Sequence, residues 1–283
     1  MNRDRLPVLI TGCSSGIGHA VAHGLKQRGF PVIASARRDA DVARLQGEGL
    51  QAVRLDLDDP ASVEAGFQTA LALTDGRLYG LFNNGAWGLP GAVEDLSREA
   101  LLAQLQTNLL GWHQLTCLAI PVMRAAGEGR IVHNSSVLGL VAMPFRGAYN
   151  CSKFALEGLA DTLRLELHGS GIHVSLIEPG PIRSRFRANA RAAFHRFIDP
   201  EHSVHRQAYR AMEGRLAKEG DAAPFTLGPE AVLEKVIHAL ESPRPRPRYA
   251  VTLPTHAFAL LRRLLPTRAL DALLRRASGG GAR

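Results

Sequence analysis

Leu6-Pro7-Val8-Leu9-Ile10-Thr11-Gly12-Cys13-Ser14-Ser15-Gly16-Ile17-Gly18 is a short apolar, β-leaning run that passes straight into a glycine-rich turn. The amphipathic pattern from His19 to Gly29 follows at once. Strand, turn and helix in that order build an anion site. Glycines let the backbone approach a phosphate, and a helix N-terminus aims unpaired N–H groups and partial positive charge at it. The spacing is Gly-x-x-x-Gly-x-Gly, not the commoner Gly-x-Gly-x-x-Gly. The same residues also satisfy Gly-x-Ser-x-Gly, the nucleophile elbow of serine hydrolases, with Ser14 as nucleophile. That alternative needs a later acid and histidine, and with 11 histidines present some histidine always qualifies. Against it stand the position after the first strand and the third glycine, Gly18, which an elbow does not require.

Outward from this stretch, strand and helix patterns alternate. Short β-leaning runs fall at 7–11, 31–36, 51–55, 79–83, 130–135, 173–178 and 248–253. Helical patterns fill about 17–29, 39–47, 60–74, 98–126, 148–169 and 229–241. The alternation predicts an α/β fold: a Rossmann-type, doubly wound parallel sheet of about seven strands, helices on both faces, in a single domain. At 283 residues the chain can bury one large core of this kind. In such sheets ligands bind outside the carboxyl ends of the strands, and the glycine-rich turn lies at such an end.

A second stretch carries chemistry. Tyr149 and Lys153 are four residues apart, which in a helix places phenol and ammonium on one face, one turn apart. A neighbouring cation favours phenolate and lowers a pKa that is otherwise about 10. A tyrosine tuned downward can exchange a proton with an alcohol or carbonyl near neutral pH. Ser136 lies 13 residues before Tyr149.

Taken together, Thr11-Gly12-x-x-x-Gly16-x-Gly18, Asn83-Asn84-Gly85-Ala86, Asn108, Ser136, Tyr149-x-x-x-Lys153 and Pro179-Gly180 resemble the short-chain dehydrogenase/reductase family over roughly residues 6–252. The pattern is similar to bacterial members related to hydroxysteroid and retinol dehydrogenases. Two positions depart from it. Asn-Asn-Gly-Ala stands where the family usually has Asn-Asn-Ala-Gly, and Cys151 replaces the usual alanine two residues after the tyrosine.

The resemblance implies an oxidoreductase that interconverts an alcohol and a ketone or aldehyde by hydride transfer. Ser136 and Tyr149 would aim donors at the carbonyl oxygen, which gains charge in the transition state. Tyr149 would also deliver the proton. Lys153 would depress the Tyr149 pKa and bind the nicotinamide ribose, and Asn108 would hold a water linking Lys153 to solvent. Ser135 is the neighbouring hydroxyl; successive strand residues face opposite sides, and the spacing selects Ser136.

Coenzyme contacts are implied for Gly12, Ser14, Ser15, Gly16, Ile17 and Gly18 in the turn, and for Asp56 and Leu57 at the adenine. Asn84 and Gly85, Tyr149 and Lys153, and Pro179, Gly180, Ile182 and Ser184 near the nicotinamide complete the set. The substrate would meet Trp87, Leu138, Met143 and Phe145, with Val137, Pro144 and the 183–227 insertion nearby. That lining is apolar and suits a bulky lipophilic alcohol or ketone. Residues 1–254 are then the dinucleotide-binding catalytic domain, the insertion included.

The end of the second strand selects the coenzyme. An acid there holds the ribose 2′-hydroxyl of NAD, and a basic residue accommodates the 2′-phosphate of NADP. The strand ends Ser35-Ala36-Arg37-Arg38, with alanine where the acid would be. NADP (NADPH) is expected, on Arg37 with help from Arg38 or the Ser14 hydroxyl. A cofactor-binding regulator without turnover is the alternative to an enzyme, and its sign would be loss of the serine, tyrosine or lysine.

Composition narrows the rest. Hydrophobic residues at 46% and charged residues at 21% are ordinary globular values. No apolar run reaches 18 residues, and the first strand follows Met1-Asn2-Arg3-Asp4-Arg5 directly, so a cytoplasmic protein is expected. Cysteines at 13, 117 and 151 show no metal spacing, and no metal is expected. The formal charge is −2 over residues 1–180 and +10 over 181–283. The excess is scattered arginine with no nucleic-acid module, so a solvated basic surface is expected and no nucleic-acid partner.

Residues 255–283 read as a basic amphipathic helical extension. Phe258, Leu261, Leu264 and Leu265 form an apolar stripe, Pro266 interrupts it, and Leu270, Leu273 and Leu274 resume it. The stripe is expected to pack over the substrate entrance or at a homodimer or homotetramer interface. Weak association with an anionic membrane surface is the alternative. The end, 278–283, is expected to be disordered.

Overall fold

Seven parallel strands run in the order β3-β2-β1-β4-β5-β6-β7 in a computed structural model that describes residues 6–218, 220, 221 and 223–278. They are β1 (Val8–Ile10), β2 (Val32–Ala36), β3 (Gln51–Arg54), β4 (Gly80–Asn83), β5 (Gly129–Asn134), β6 (Ile172–Glu178) and β7 (Arg248–Ala250). All seven expected strands are present and the sheet is doubly wound.

Side-chain alternation divides the core in two. Val8 and Ile10 of β1 enter one cluster and Leu9 the other, each 0% exposed. The first cluster is closed by α1 (Gly16–Gln27), α2 (Asp39–Gly47) and α9 (Glu230–Glu241), through Val21, Leu25, Leu45, Val232 and Val236. The second is closed by α3 (Pro60–Ala72), α5 (Gly111–Ala126) and α6 (Gly147–Glu166), through Val63, Phe67, Trp112, Leu115 and Leu156. Strands covered on both faces read as continuous apolar runs, as β1 does. Strand order reverses between β1 and β4, so their carboxyl ends open a crevice.

Three segments differ from the sequence expectations. The helix expected over 98–126 is broken into α4 (Arg98–Leu105), a π-helical turn (Gln106–Leu110) and α5. Gly111 is the reason for the close approach behind it: a Cβ there would lie 2.3 Å from the Leu57 carbonyl oxygen. A π-turn adds one residue to the ladder without changing the apolar pattern, so periodicity does not reveal it.

The 183–227 segment is largely helical, as α7 (Phe186–Phe197) and α8 (Arg206–Ala217). Ala190 and Phe194, and Tyr209, Met212 and Leu216, recur at helical spacing and build a third core against Leu89, Ala92 and Ala148.

The tail forms α10 (Leu253–Leu264) and α11 (Thr267–Ala277), separated at Pro266. α10 starts before the expected boundary at residue 255. Leu274 is 6% exposed and packs with Phe258 and Leu270 on Val137, Val141, Leu138 and Met143. Leu264, expected in this stripe, is 67% exposed and faces outward with Leu253 and Leu260. Positions 253, 260 and 264 lie beside 258 and 261 around the helix, so the apolar stripe of α10 is wider than the part that packs. The expected disorder concerns a segment that, beyond Ser278, lies outside the described residues. Among the described residues no helix is long and apolar enough to cross a membrane.

Candidate active site

The glycine-rich turn is locked to the end of β4. Thr11 Oγ1 accepts from the Asn84 and Gly85 amides at 2.8 and 2.9 Å. Asn84 Nδ2 donates to the carbonyls of Thr11 and Gly12, and its Oδ1 accepts from Asn134 at 2.9 Å. Gly12 has φ +70°, and a Cβ on it would sit 2.5 Å from the Gly85 Cα. A Cβ on Gly18 would lie 2.3 Å from the Gly12 carbonyl oxygen. These glycines are demanded by backbone meeting backbone, and they leave the amides at the α1 N-terminus facing a cleft. Gly85, in the position where the family usually has alanine, tightens this contact.

That cleft, about 1830 Å³, runs from the turn along the carboxyl ends of the strands to the tail. It exceeds the 300–1,000 Å³ usual for one small ligand, so a dinucleotide and a bulky substrate fit together. Every residue expected to touch the coenzyme lines it except Gly18, buried beneath the turn. Arg37 and Arg38 are exposed at its far end. Asp39, the next residue, lies 3.8 Å from Arg54 and does not line the cleft.

At the other end, the N-terminal part of α6 carries Tyr149 and Lys153. The Ser136 hydroxyl lies beside the Tyr149 phenol, and Ser136 Oγ accepts from the Leu138 amide at 3.1 Å. Ser135 instead donates to Glu157. Lys153 is 1% exposed, donates to the Asn134 carbonyl at 2.8 Å and lies 4.3 Å from the centre of the Trp112 ring. Trp112 is stacked on His133, whose burial, with Lys153 nearby, pushes its pKa down to about 3. A neutral imidazole and an indole face therefore support the ammonium. Sequence reasoning missed Trp112, although it stands four residues after Asn108 on the same helical run.

The lowered Tyr149 pKa expected from Lys153 is not what this structure gives. Burial pushes the phenol up to about 12, with the Ser136 hydroxyl opposing. Burial likewise pushes Lys153 down to about 7, against the charge of Glu157. Desolvation thus penalises the charged form of each group.

Two residues expected at the site do not line the cleft. Asn108 is wholly buried in the π-turn and lines no part of the cleft. Its Nδ2 donates to the Trp87 carbonyl and Ser152 Oγ, and its Oδ1 accepts from the Trp87 amide. Through these bonds it fixes the Trp87 loop. Phe145 does not line the cleft. Its backbone is left-handed, φ +58°, and its ring packs edge-on against Tyr209 and His205. The remaining expected substrate residues, Trp87, Leu138 and Met143, do line it, and Phe197 stacks on Trp87 at 5.9 Å. Among the described residues no histidine hydrogen-bonds Ser14, whose carbonyl accepts from Arg44, so the hydrolase elbow lacks its base.

Behind Ser135 lies a cluster of acids around one arginine. Arg248 binds Glu157, Glu178 at 2.8 Å and Asp161 at 2.6 Å. Burial first, then the charge of Glu157, pushes Glu178 up to about 7. A carboxyl with a raised folded pKa stabilises the fold below its unfolded value, near 4.5, and loses that contribution as pH rises through about 7. The stability of the wild type relative to Glu178→Gln should therefore fall between pH 4.5 and 7. A melting-temperature difference that is flat over this window would refute the assignment.

Comparisons with known proteins agree with this geometry. The family pattern for short chain dehydrogenase matches residues 7–194. The chain is 48% identical to the uncharacterized oxidoreductase YbbO of Escherichia coli strain K12 over 267 residues, 94% of this chain and 93% of YbbO. It is 34% identical to human 17-beta-hydroxysteroid dehydrogenase type 1, over 88% of this chain and 78% of the relative. Among solved structures, a Burkholderia phymatum short chain dehydrogenase/reductase in complex with NAD is similar with a TM-score of 0.78 and 25% identity, over 97% of this chain and 96% of that one.

Proposed function

Because this chain belongs to the short-chain dehydrogenase family of oxidoreductases, we propose that it is an NADP-dependent enzyme interconverting an alcohol with a ketone or aldehyde on a bulky apolar substrate. The observation that carries this reading is the Ser136–Tyr149 hydroxyl pair beside buried Lys153, at the apolar end of a cleft whose other end is a glycine turn and two exposed arginines. The turn fits a dinucleotide pyrophosphate, since Ser14, Ser15, Gly16 and Ile17 line the cleft at the N-terminus of α1. A bound nicotinamide coenzyme supplies or accepts the hydride.

The residues of the chain handle the proton and the developing charge. In reduction, the carbonyl oxygen accepts hydrogen bonds from Ser136 and Tyr149 where negative charge grows. Tyr149 stays protonated at working pH because burial holds its pKa high, so its phenolic proton is there to pass to that oxygen. Lys153 steadies the phenolate left behind, and the Asn134 carbonyl and Trp112 ring hold it in place. Trp87, Phe197, Leu138 and Met143 keep water from the reacting carbon and favour an apolar substrate. The likeness to a 17-beta-hydroxysteroid dehydrogenase supports ketones of steroid size as the first to be tried. A regulator without turnover is disfavoured by the presence of all three residues in one contact set. NADPH oxidation by the purified protein against ketones, aldehydes, steroids and quinones tests the proposal; no turnover on any of them would favour the regulator.

Coenzyme choice rests on Arg37. Arg37→Ala should weaken NADPH by about 1.5–3 kcal/mol, the range for a hydrogen bond to a charged group, while NADH binding changes little. Equal losses for both coenzymes in a titration would remove Arg37 from the phosphate.

The free thiols of Cys13, Cys117 and Cys151 suit a reducing cytoplasm. Exposed Leu102, Leu110, Phe154 and Leu159 on α4 to α6 support assembly into a homodimer or homotetramer. The outward leucines of α10 beside exposed Arg263 support weak contact with an anionic membrane.

A further inference from the structure

No metal was expected from the cysteine spacing, but a cation site requires no cysteine. His19 and His23 lie four residues apart on α1, so both imidazoles leave the helix on the same side. Their Nε2 atoms converge on one oxygen, Glu48 Oε2, at 2.7 and 2.9 Å. Glu48 sits at the C-terminal cap of α2, so the cluster ties two neighbouring helices. All three donor atoms lie within 4.8 Å of one another. Arg44 takes the other carboxylate oxygen, Oε1, at 2.5 Å, and its second nitrogen reaches the Ser14 carbonyl at 2.7 Å.

We propose that His19, His23 and Glu48 form a binding site for a divalent late-transition cation, Zn²⁺ in the first instance. The donor set is two imidazoles and a carboxylate, which matches the ligand preferences of zinc. Tetrahedral zinc with bonds near 2.0–2.1 Å needs donors roughly 3.3 Å apart. The present spacings are therefore about half an ångström too short, and the side chains are 29–35% exposed and free to open.

The ion replaces two hydrogen bonds. Each imidazole carries its proton on Nδ1, and its Nε2 lone pair turns to the cation. Because Arg44 stays on Oε1, the bridge from Glu48 to the glycine turn survives. None of the three ligands lines the cleft, so the cation strengthens the α1–α2 contact and leaves the chemistry unchanged. Water completes the fourth position on the half-exposed side.

The test uses purified, chelator-stripped protein titrated with Zn²⁺ against a chromophoric competitor, and with Co²⁺ read by visible absorption. Wild type should take up one Zn²⁺ per chain and melt at a higher temperature with it. His19→Ala, His23→Ala and Glu48→Gln should each weaken uptake by at least about tenfold. Each variant should lose the zinc-dependent rise in melting temperature, measured against its own value in chelator, which separates a lost ligand from a damaged fold. Uptake only at millimolar Zn²⁺, or tight uptake that survives all three substitutions, would overturn the site.

Discussion

Tyr149→Phe should reduce turnover at least about 10²-fold, the lower range for general acid catalysis, while NADPH binding and the fold are kept. The ring would still pack edge-on against Phe186, 5.4 Å away, and over Lys153, so the cleft keeps its shape. Only the phenolic oxygen is lost, and with it the proton source and one of two donors to the substrate oxygen. Ser136 alone cannot replace it, because its Oγ already accepts from Leu138 and its hydroxyl holds no mobile proton at neutral pH. Rapid-mixing measurement of hydride transfer decides the matter. A near wild-type rate in the variant would refute the role, and lost coenzyme binding would mean that the ring positions the cofactor.

Deleting residues 256–283 should lower the melting temperature by roughly 5–10 °C, on a scale of about 2–4 °C per kcal/mol for a chain near this size. Leu274 is 6% exposed and sits between Val137 and Val141, beside Leu138 and Met143. A fully buried leucine contributes about 1.5–3 kcal/mol, and half-buried Phe258 and Leu270 add to it. The same cut removes Phe258, Leu261 and Leu273 from the cleft wall, so turnover of bulky apolar substrates should fall as well. Differential scanning calorimetry and liposome sedimentation separate the readings of the tail. A lower melting temperature identifies packing as its role. An unchanged melt with lost sedimentation on anionic liposomes assigns it to a membrane surface.

Local pattern made most of the frame readable. β1 is short and wholly apolar because it is buried on both faces, and glycines 12, 16 and 18 follow because backbone must meet backbone there. Tyr149 and Lys153 share a helix face by their spacing, and the glycine turn at the start of the chain gives that common spacing its meaning. The 183–227 helices were legible too, in the recurrence of Tyr209, Met212 and Leu216, but their length and charge masked it.

The sequence by itself determined the strand order of events along the chain, the glycine cradle, the missing acid after β2 and the Ser136–Tyr149–Lys153 set. Only the tertiary structure decided that Trp112 lies under Lys153, that Phe145 turns away, that Asn108 grips the Trp87 loop, and which leucines of α10 stay exposed. It also reversed the expected direction of the Tyr149 pKa. Spacing along a helix fixes which residues share a face, whereas desolvation, stacking and the partner of each face depend on elements distant in the chain, which no local pattern encodes.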